Sequence, residues 1–104
     1  MNNKNDNNNK EIKEKEEIVS SGEGFKVRIF DLDKGLTEYE HVKAVRMISK
    51  DYNLLIMEDY LPIIGEIDGS IDIKGDDLDI SFPKISAFYM NSSNVFNLMI
   101  KEVD

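Results

Sequence analysis

The sequence has no cysteine, one histidine and two prolines among its 104 residues. Without cysteine there is no disulfide framework, no thiolate metal site and no cysteine nucleophile. The opening stretch MNNKNDNNNKEIKEKEEI lacks the apolar centre of a secretory signal. These two absences together set the expectation of a reducing, cytoplasmic setting. No apolar run approaches the ~18 residues of a membrane span, so no membrane insertion is expected. His41 has no second histidine to share a metal and no acid–nucleophile set near it. It reads as a surface or rim side chain. There is no phosphate loop and no dinucleotide fingerprint, so no cofactor is expected.

Positive charge is also scarce. Thirteen Lys and Arg stand against 21 Asp and Glu, for a net charge of −8. Nine of the acids fall between Asp51 and Asp79, where Lys74 is the one base. That is a poor electrostatic footprint for nucleic acid or an anionic membrane. The plain reading is a solvated face that keeps a small protein soluble. The sharper one is a surface for a basic partner or a divalent cation, with Asp76, Asp77 and Asp79 as candidate ligands. Tyr39, Tyr52, Tyr60, Phe88 and Tyr89 are not interleaved with basic residues, which argues against a base-stacking platform.

What is present is short apolar alternation, from Phe25 onward. Residues 1–24 read as a disordered tail. Six of the first nine residues are Asn, and such a segment has nothing to bury. Residues 10–19 carry a helix-compatible Glu11/Lys15 pair, but only Ile12, Ile18 and Val19 are apolar. Ser20 to Gly24 reads as a joint. Residues 25–104 then form one β domain. Phe25, Val27 and Ile29 share one strand face, with Phe30 and Leu32 on the other, and Asp33-Lys34-Gly35 is a turn. Val42, Val45 and Met47 mark either a strand with a local irregularity or a short helix. The richness in Val, Ile, Tyr and Thr favours the strand. LLIME follows as a strand.

The strongest local signal is YLPIIGEIDGSIDIK, where Asp68-Gly69 sits between two alternating runs and reads as a tight hairpin turn. Gly75-Asp76-Asp77 is another turn. LDISF alternates, Pro83 marks an edge or a break, and ISAFYM and VFNLMIK flank the turn Asn91 to Asn94. The sum is about eight short strands with turns roughly every 8–12 residues. This predicts an all-β fold, a small antiparallel sandwich or barrel.

One stretch imitates an enzyme. Phe30 to Thr37, FDLDKGLT, resembles the nucleophile motif of haloacid-dehalogenase-like phosphatases, with Asp31 placed to attack phosphorus and Asp33 to act as acid/base with magnesium. Gly35 stands where that family has Thr or Val. About 40 residues separate Asp31 from the second acidic cluster, too few for the crossover helices of a parallel sheet. No catalytic residue is therefore expected. The Asp31-x-Asp33-x-Gly35 spacing also fails as a calcium loop, which needs Gly at its sixth position.

From Glu38 to Ile73 the pattern resembles the N-terminal β-sandwich domain of the epsilon subunit of rotary ATP synthases. Val42, Val45 and Met47 stand at that family's apolar strand positions, and Leu54 and Ile56 at the next pair. Pro62-Ile63-Ile64 stand in place of its Pro-Leu-Leu. Ile67, Asp68-Gly69, Ile71 and Ile73 stand at its turn and isoleucine-rich strand. Tyr52 and Leu55 replace family glycines, and Tyr60-Leu61 replaces His-Ala. The family's C-terminal helical hairpin is not in this sequence. The resemblance implies a β-sandwich that docks on a helical rotor stalk.

The expected function is thus non-catalytic: an interaction or accessory module that binds a protein partner or a second copy of itself. ISAFYM and VFNLMIK are apolar on both faces, more than a one-faced sheet needs. They nominate Phe88, Met90, Phe96 and Leu98 as partner-binding residues. An alternative rests on composition alone: short acidic chains rich in Asn, Lys and Ile are common among accessory proteins of mobile elements in AT-rich bacteria.

Overall fold

The computed structural model describes residues 22–104; most of the expected tail, residues 1–21, lies outside the described residues. Six strands form: β1 (Phe25–Asp31), β2 (Gly35–Ser49), β3 (Asn53–Ile56), β4 (Ile63–Gly75), β5 (Asp79–Ser92) and β6 (Val95–Val103). Their order is β1-β6-β5-β4-β2-β3, and β1 also pairs with β2. That last pairing closes five strands into a barrel and leaves β3 as an extra strand on β2. All pairs are antiparallel except β1 with β6, which is parallel.

β2 turns the sheet into a barrel. Its first half, Leu36 to Val42, pairs with β1, and its second half, Val45 to Ile48, pairs on the same side with β3. On the other side, Val42 to Ser49 pairs with β4. Two irregularities fall where the partner changes, one against β1 near His41 and one against β4 between Val42 and Ala44. His41 there adopts a φ of 59°. Each extra residue bends the strand and increases its twist. Each also resets which side chains face inward, so Val42, Val45 and Met47 are all fully buried although 42 and 45 differ by an odd number. The expected strand with an irregularity is therefore the observed one.

The interior is apolar. Val27, Val45, Met47, Ile67, Ile71, Ile73, Phe96 and Leu98 are fully buried. The Tyr89 ring stacks on Phe96 with centroids 6.0 Å apart. Tyr52 reaches in from the β2–β3 turn. Its hydroxyl donates to the Glu66 carbonyl at 2.6 Å and lies 3.3 Å from the Tyr89 hydroxyl. Burial, above all, holds the Tyr52 hydroxyl well above the ordinary tyrosine range; the Tyr89 hydrogen bond and the charges of Tyr89, Glu66 and Asp51 add to this.

One end of the barrel is crossed by residues 57–62. Asp59 N donates to Asn94 Oδ1 at 2.7 Å, and Asn94 Nδ2 returns a bond to Asp59 Oδ1 at 2.9 Å. Gly24 N donates to Glu58 Oε1 at 3.1 Å. Asn91, 2% exposed, donates Nδ2 to the Leu61 carbonyl at 3.3 Å, while its buried Oδ1 has no hydrogen-bond partner.

The strand count is six rather than eight because two expected breaks are absent. Asp68 and Gly69 lie inside β4, and neither has positive φ. Gly69 is there for close approach: a Cβ on it would run into the carbonyl oxygen of Ile48 on β2 and come within 2.9 Å of Ser49 Cα. Pro83 lies inside β5, where the ladder to β4 skips a residue between Gly69 and Ile71. That irregularity accommodates the missing N–H. The tight two-residue turn with positive φ is at Ser93-Asn94 instead, with φ of 52° and 62°.

Two outcomes follow for stability. Gly69→Ala should lower unfolding free energy by about 2 kcal/mol or more in urea titration, since the obstacle is backbone rather than a yielding side chain. Tyr52→Phe should cost about 1 kcal/mol at neutral pH. Because the folded state holds the Tyr52 proton more tightly, its stabilisation is complete below the ordinary value of 10.0 and is lost as pH rises beyond it. The gap between wild type and Tyr52→Phe should therefore narrow in alkaline denaturation series.

Candidate functional site: an apolar band on the barrel wall

Strand alternation sorts the four nominated residues onto opposite faces. Phe96 and Leu98 point inward and are fully buried, whereas Phe88 and Met90 point outward and are 45% and 42% exposed. The turn at Ser93-Asn94 pairs Ser92 with Val95 and so Phe88 with Met99. An even position on β5 thus shares a face with an odd position on β6.

Following this register across the wall gives a continuous surface. Leu36, Phe30, Met99 and Phe88 are direct cross-strand neighbours on β2, β1, β6 and β5, and Glu66 on β4 ends the row. The next row is Glu38, Arg28, Asn97, Met90 and Ile64. Five strands at 4.7–4.9 Å spacing make the band roughly 19 Å wide. Ile64 is 75% exposed, Leu36 47% and Met99 41%. Beside Phe30 and Met99 the band runs into an open groove of about 470 Å³ rimmed by Leu32, Leu36 and Ile100. Leu32, at the tip of the β1–β2 hairpin, is 97% exposed.

Charges frame the band in pairs. Arg28 Nε meets Glu38 Oε2 at 2.9 Å, and Lys26 meets Glu40 at 3.4 Å. Lys101 pairs with Glu66 across the Phe88 ring, with its ammonium 4.5 Å from the ring centroid. The Arg28 guanidinium lies 5.3 Å from the Phe30 centroid. The charged heads themselves thus lie over the faces of the two rings, each with a carboxylate beside it. The wall is therefore apolar in the middle and balanced in charge at its edge.

The other candidates are placed elsewhere. Asp31 ends β1, and its Oδ1 accepts from the backbone N–H of Asp33 at 2.8 Å and of Lys34 at 3.4 Å. It shapes the hairpin turn, and β1 and β2 are an antiparallel pair. Asp76 and Asp77 are exposed in the β4–β5 turn, which is closed by Gly75 N donating to Leu78 O at 2.8 Å. Asp79 pairs with Lys74 at 2.9 Å. Among the described residues no group of three His, Asp or Glu side chains is arranged to hold a metal ion. His41 is exposed, and its Nδ1 donates to the Glu23 carbonyl at 3.1 Å.

The chain matches no family model, and no curated protein matches it significantly. The site rests on geometry alone.

The two faces should separate cleanly in a stability series. Phe96→Ala should cost about 3–5 kcal/mol, the range for emptying a buried aromatic site. Phe88→Ser should cost less than about 1 kcal/mol, chiefly the Lys101 contact and part-buried ring area. Equal losses at the two positions in urea denaturation would mean that the outer wall is not a free surface.

Proposed function

We propose that this protein is a non-catalytic interaction module whose binding surface is the apolar band on the outer wall of its barrel. The observation that carries this is the row Leu36, Phe30, Met99 and Phe88, extended by Met90 and Ile64. It is a contiguous apolar strip across neighbouring strands whose other face already fills the core. Apolar side chains scattered singly on a surface need no explanation; a contiguous strip with a charged frame is the pattern of a protein contact. The polar features elsewhere are spent on structure, with Asp31 in its turn and Asp79 on Lys74, and they favour no reaction.

The test is capture of partners by the tagged full chain, run beside Phe88→Glu and Met90→Glu. A specific protein retained by the wild type and lost with both variants is the expected result. If rotor subunits of an ATP synthase are the proteins lost, the epsilon resemblance acquires a function. Retention that ignores both variants would remove the band from the reading.

A further inference from the structure

We infer that the outer edge of β3 is a strand-addition surface and that its occupant is the chain's own segment Glu17–Ser20, laid along it parallel to β3. β3 contributes to neither row of the apolar band, so this inference stands apart from the band's role. Among the described residues β3 is the one strand with a single strand partner, β2. Ser49 N donates to Tyr52 O at 2.9 Å. Antiparallel alternation from that pair turns the backbone groups of Leu54 and Ile56 towards β2, and those of Asn53 and Leu55 towards the open edge. Apart from its shortness, this edge carries no guard against an added strand. Asn53–Ile56 holds no Lys and no Pro, and its ladder to β2 has no bulge. Leu55 is 39% exposed.

The place where the chain enters the barrel names the occupant. β1 and β3 both run antiparallel to β2 on the same side of it, with Phe25 opposite Val42 and Ile56 opposite Val45. They lie in tandem, and β3 occupies the positions along β2 that an earlier start of β1 would need. The chain leaves that line at Gly22 and Gly24, whose φ values are 80° and 77°. A Cβ on Gly24 would lie 2.3 Å from the Val42 carbonyl oxygen, so the step is made hard against β2. Its anchors are at the end of β3. Gly24 N donates to Glu58 Oε1 at 3.1 Å, just past Ile56, and Lys43 Nζ donates to the Gly22 carbonyl. A segment that reaches Gly22 from the edge of β3 finishes level with Ile56, so it runs in the direction of β3. Four residues at about 3.3 Å each cover that edge. The β-branched pair nearest the entry is Ile18-Val19. In a strand these two point to opposite faces, one beside Leu54 and Ile56 and the other beside Leu55. Ser21 alone separates the segment from Gly22. So short a tether gives an effective concentration in the millimolar range, which favours the local segment over any free strand.

The experiment is amide hydrogen exchange followed by NMR on the full chain, with a variant carrying Ile18→Pro and Val19→Pro together. Two successive prolines remove an N–H whichever parity pairs with β3. In the wild type the Asn53 and Leu55 amides should be protected, although they point away from β2. In the variant they should exchange roughly tenfold faster or more, while Leu54 and Ile56 keep most of their protection. A control with Asn5→Pro and Asp6→Pro, and Phe88→Glu on the band, should leave all four amides as they were. Asn53 and Leu55 amides that exchange equally fast in wild type and Ile18→Pro/Val19→Pro overturn the inference. So does equal acceleration from Asn53 to Ile56, which would mean that β3 frays as a whole. Protection that survives the prolines and rises with protein concentration would assign the edge to a second copy, and it too overturns the inference.

Discussion

Everything in this molecule depends on one strand bending. β2 serves β1, β3 and β4 along 15 residues, and a flat strand would serve only two neighbours. The extra residues near His41 and Lys43 give it the curvature to leave β1 and accept β3 while it stays on β4. Closure follows, because β1 can then pair with β2 on one edge and β6 on the other. A barrel of this size has no separate core layer to supply. Each strand contributes one face to the interior, and the other face is left to water or to a partner.

Much of the fold was legible in the alternation of side chains. Phe25, Val27 and Ile29 announced β1, Ile71 and Ile73 the buried face of β4, and the turn at Asp33 to Gly35 is where it was expected. Asp68-Gly69 misled because it carries the residues of a tight turn without the periodicity of one. In a two-residue hairpin Ile67 would face with Ser70, and Ile71 and Ile73 would lie on the side of Glu66. In a continuous strand Ile67, Gly69, Ile71 and Ile73 share one face, and that count was available in the sequence. Gly is needed at a turn and also where two backbones meet, and composition alone does not separate the two demands. The turn expected across Asn91 to Asn94 is present but narrower: it is Ser93-Asn94 alone, and although neither residue is glycine both take positive φ. Asn94 is held there by its two bonds to Asp59, a contact between residues 35 apart that no local pattern displays.

The candidate site was half legible. Excess apolarity in β5 and β6 was a true signal, and Phe88 and Met90 are on the outer wall. Phe96 and Leu98 fell on the wrong side because the face assignment on β6 depends on where its turn begins. Placing the turn at Ser93-Asn94 makes the paired positions sum to an odd number. Met99, not Leu98, then joins Phe88. Phe30, Leu36 and Ile64 could not have been added from local sequence. Their adjacency comes from the parallel β1–β6 pairing and from barrel closure, and both are long-range outcomes.

The apolar wall also bears on why the charge is distributed as it is. A chain with a strong negative excess gains solubility from self-repulsion, and an exposed apolar strip works against that gain. The two features are compatible only if the excess is kept off the strip. Arg28, Lys26 and Lys101 account for three of the nine bases outside residues 1–21, and all three border this one wall, each beside a carboxylate. Surface pairs of this kind add little stability by themselves. Their concentration around the band is better explained by what they do to approach. Each pair cancels its own local field, and the charged heads of Arg28 and Lys101 lie over the Phe30 and Phe88 rings. The negative excess is thereby kept off the exposed apolar side chains of this wall.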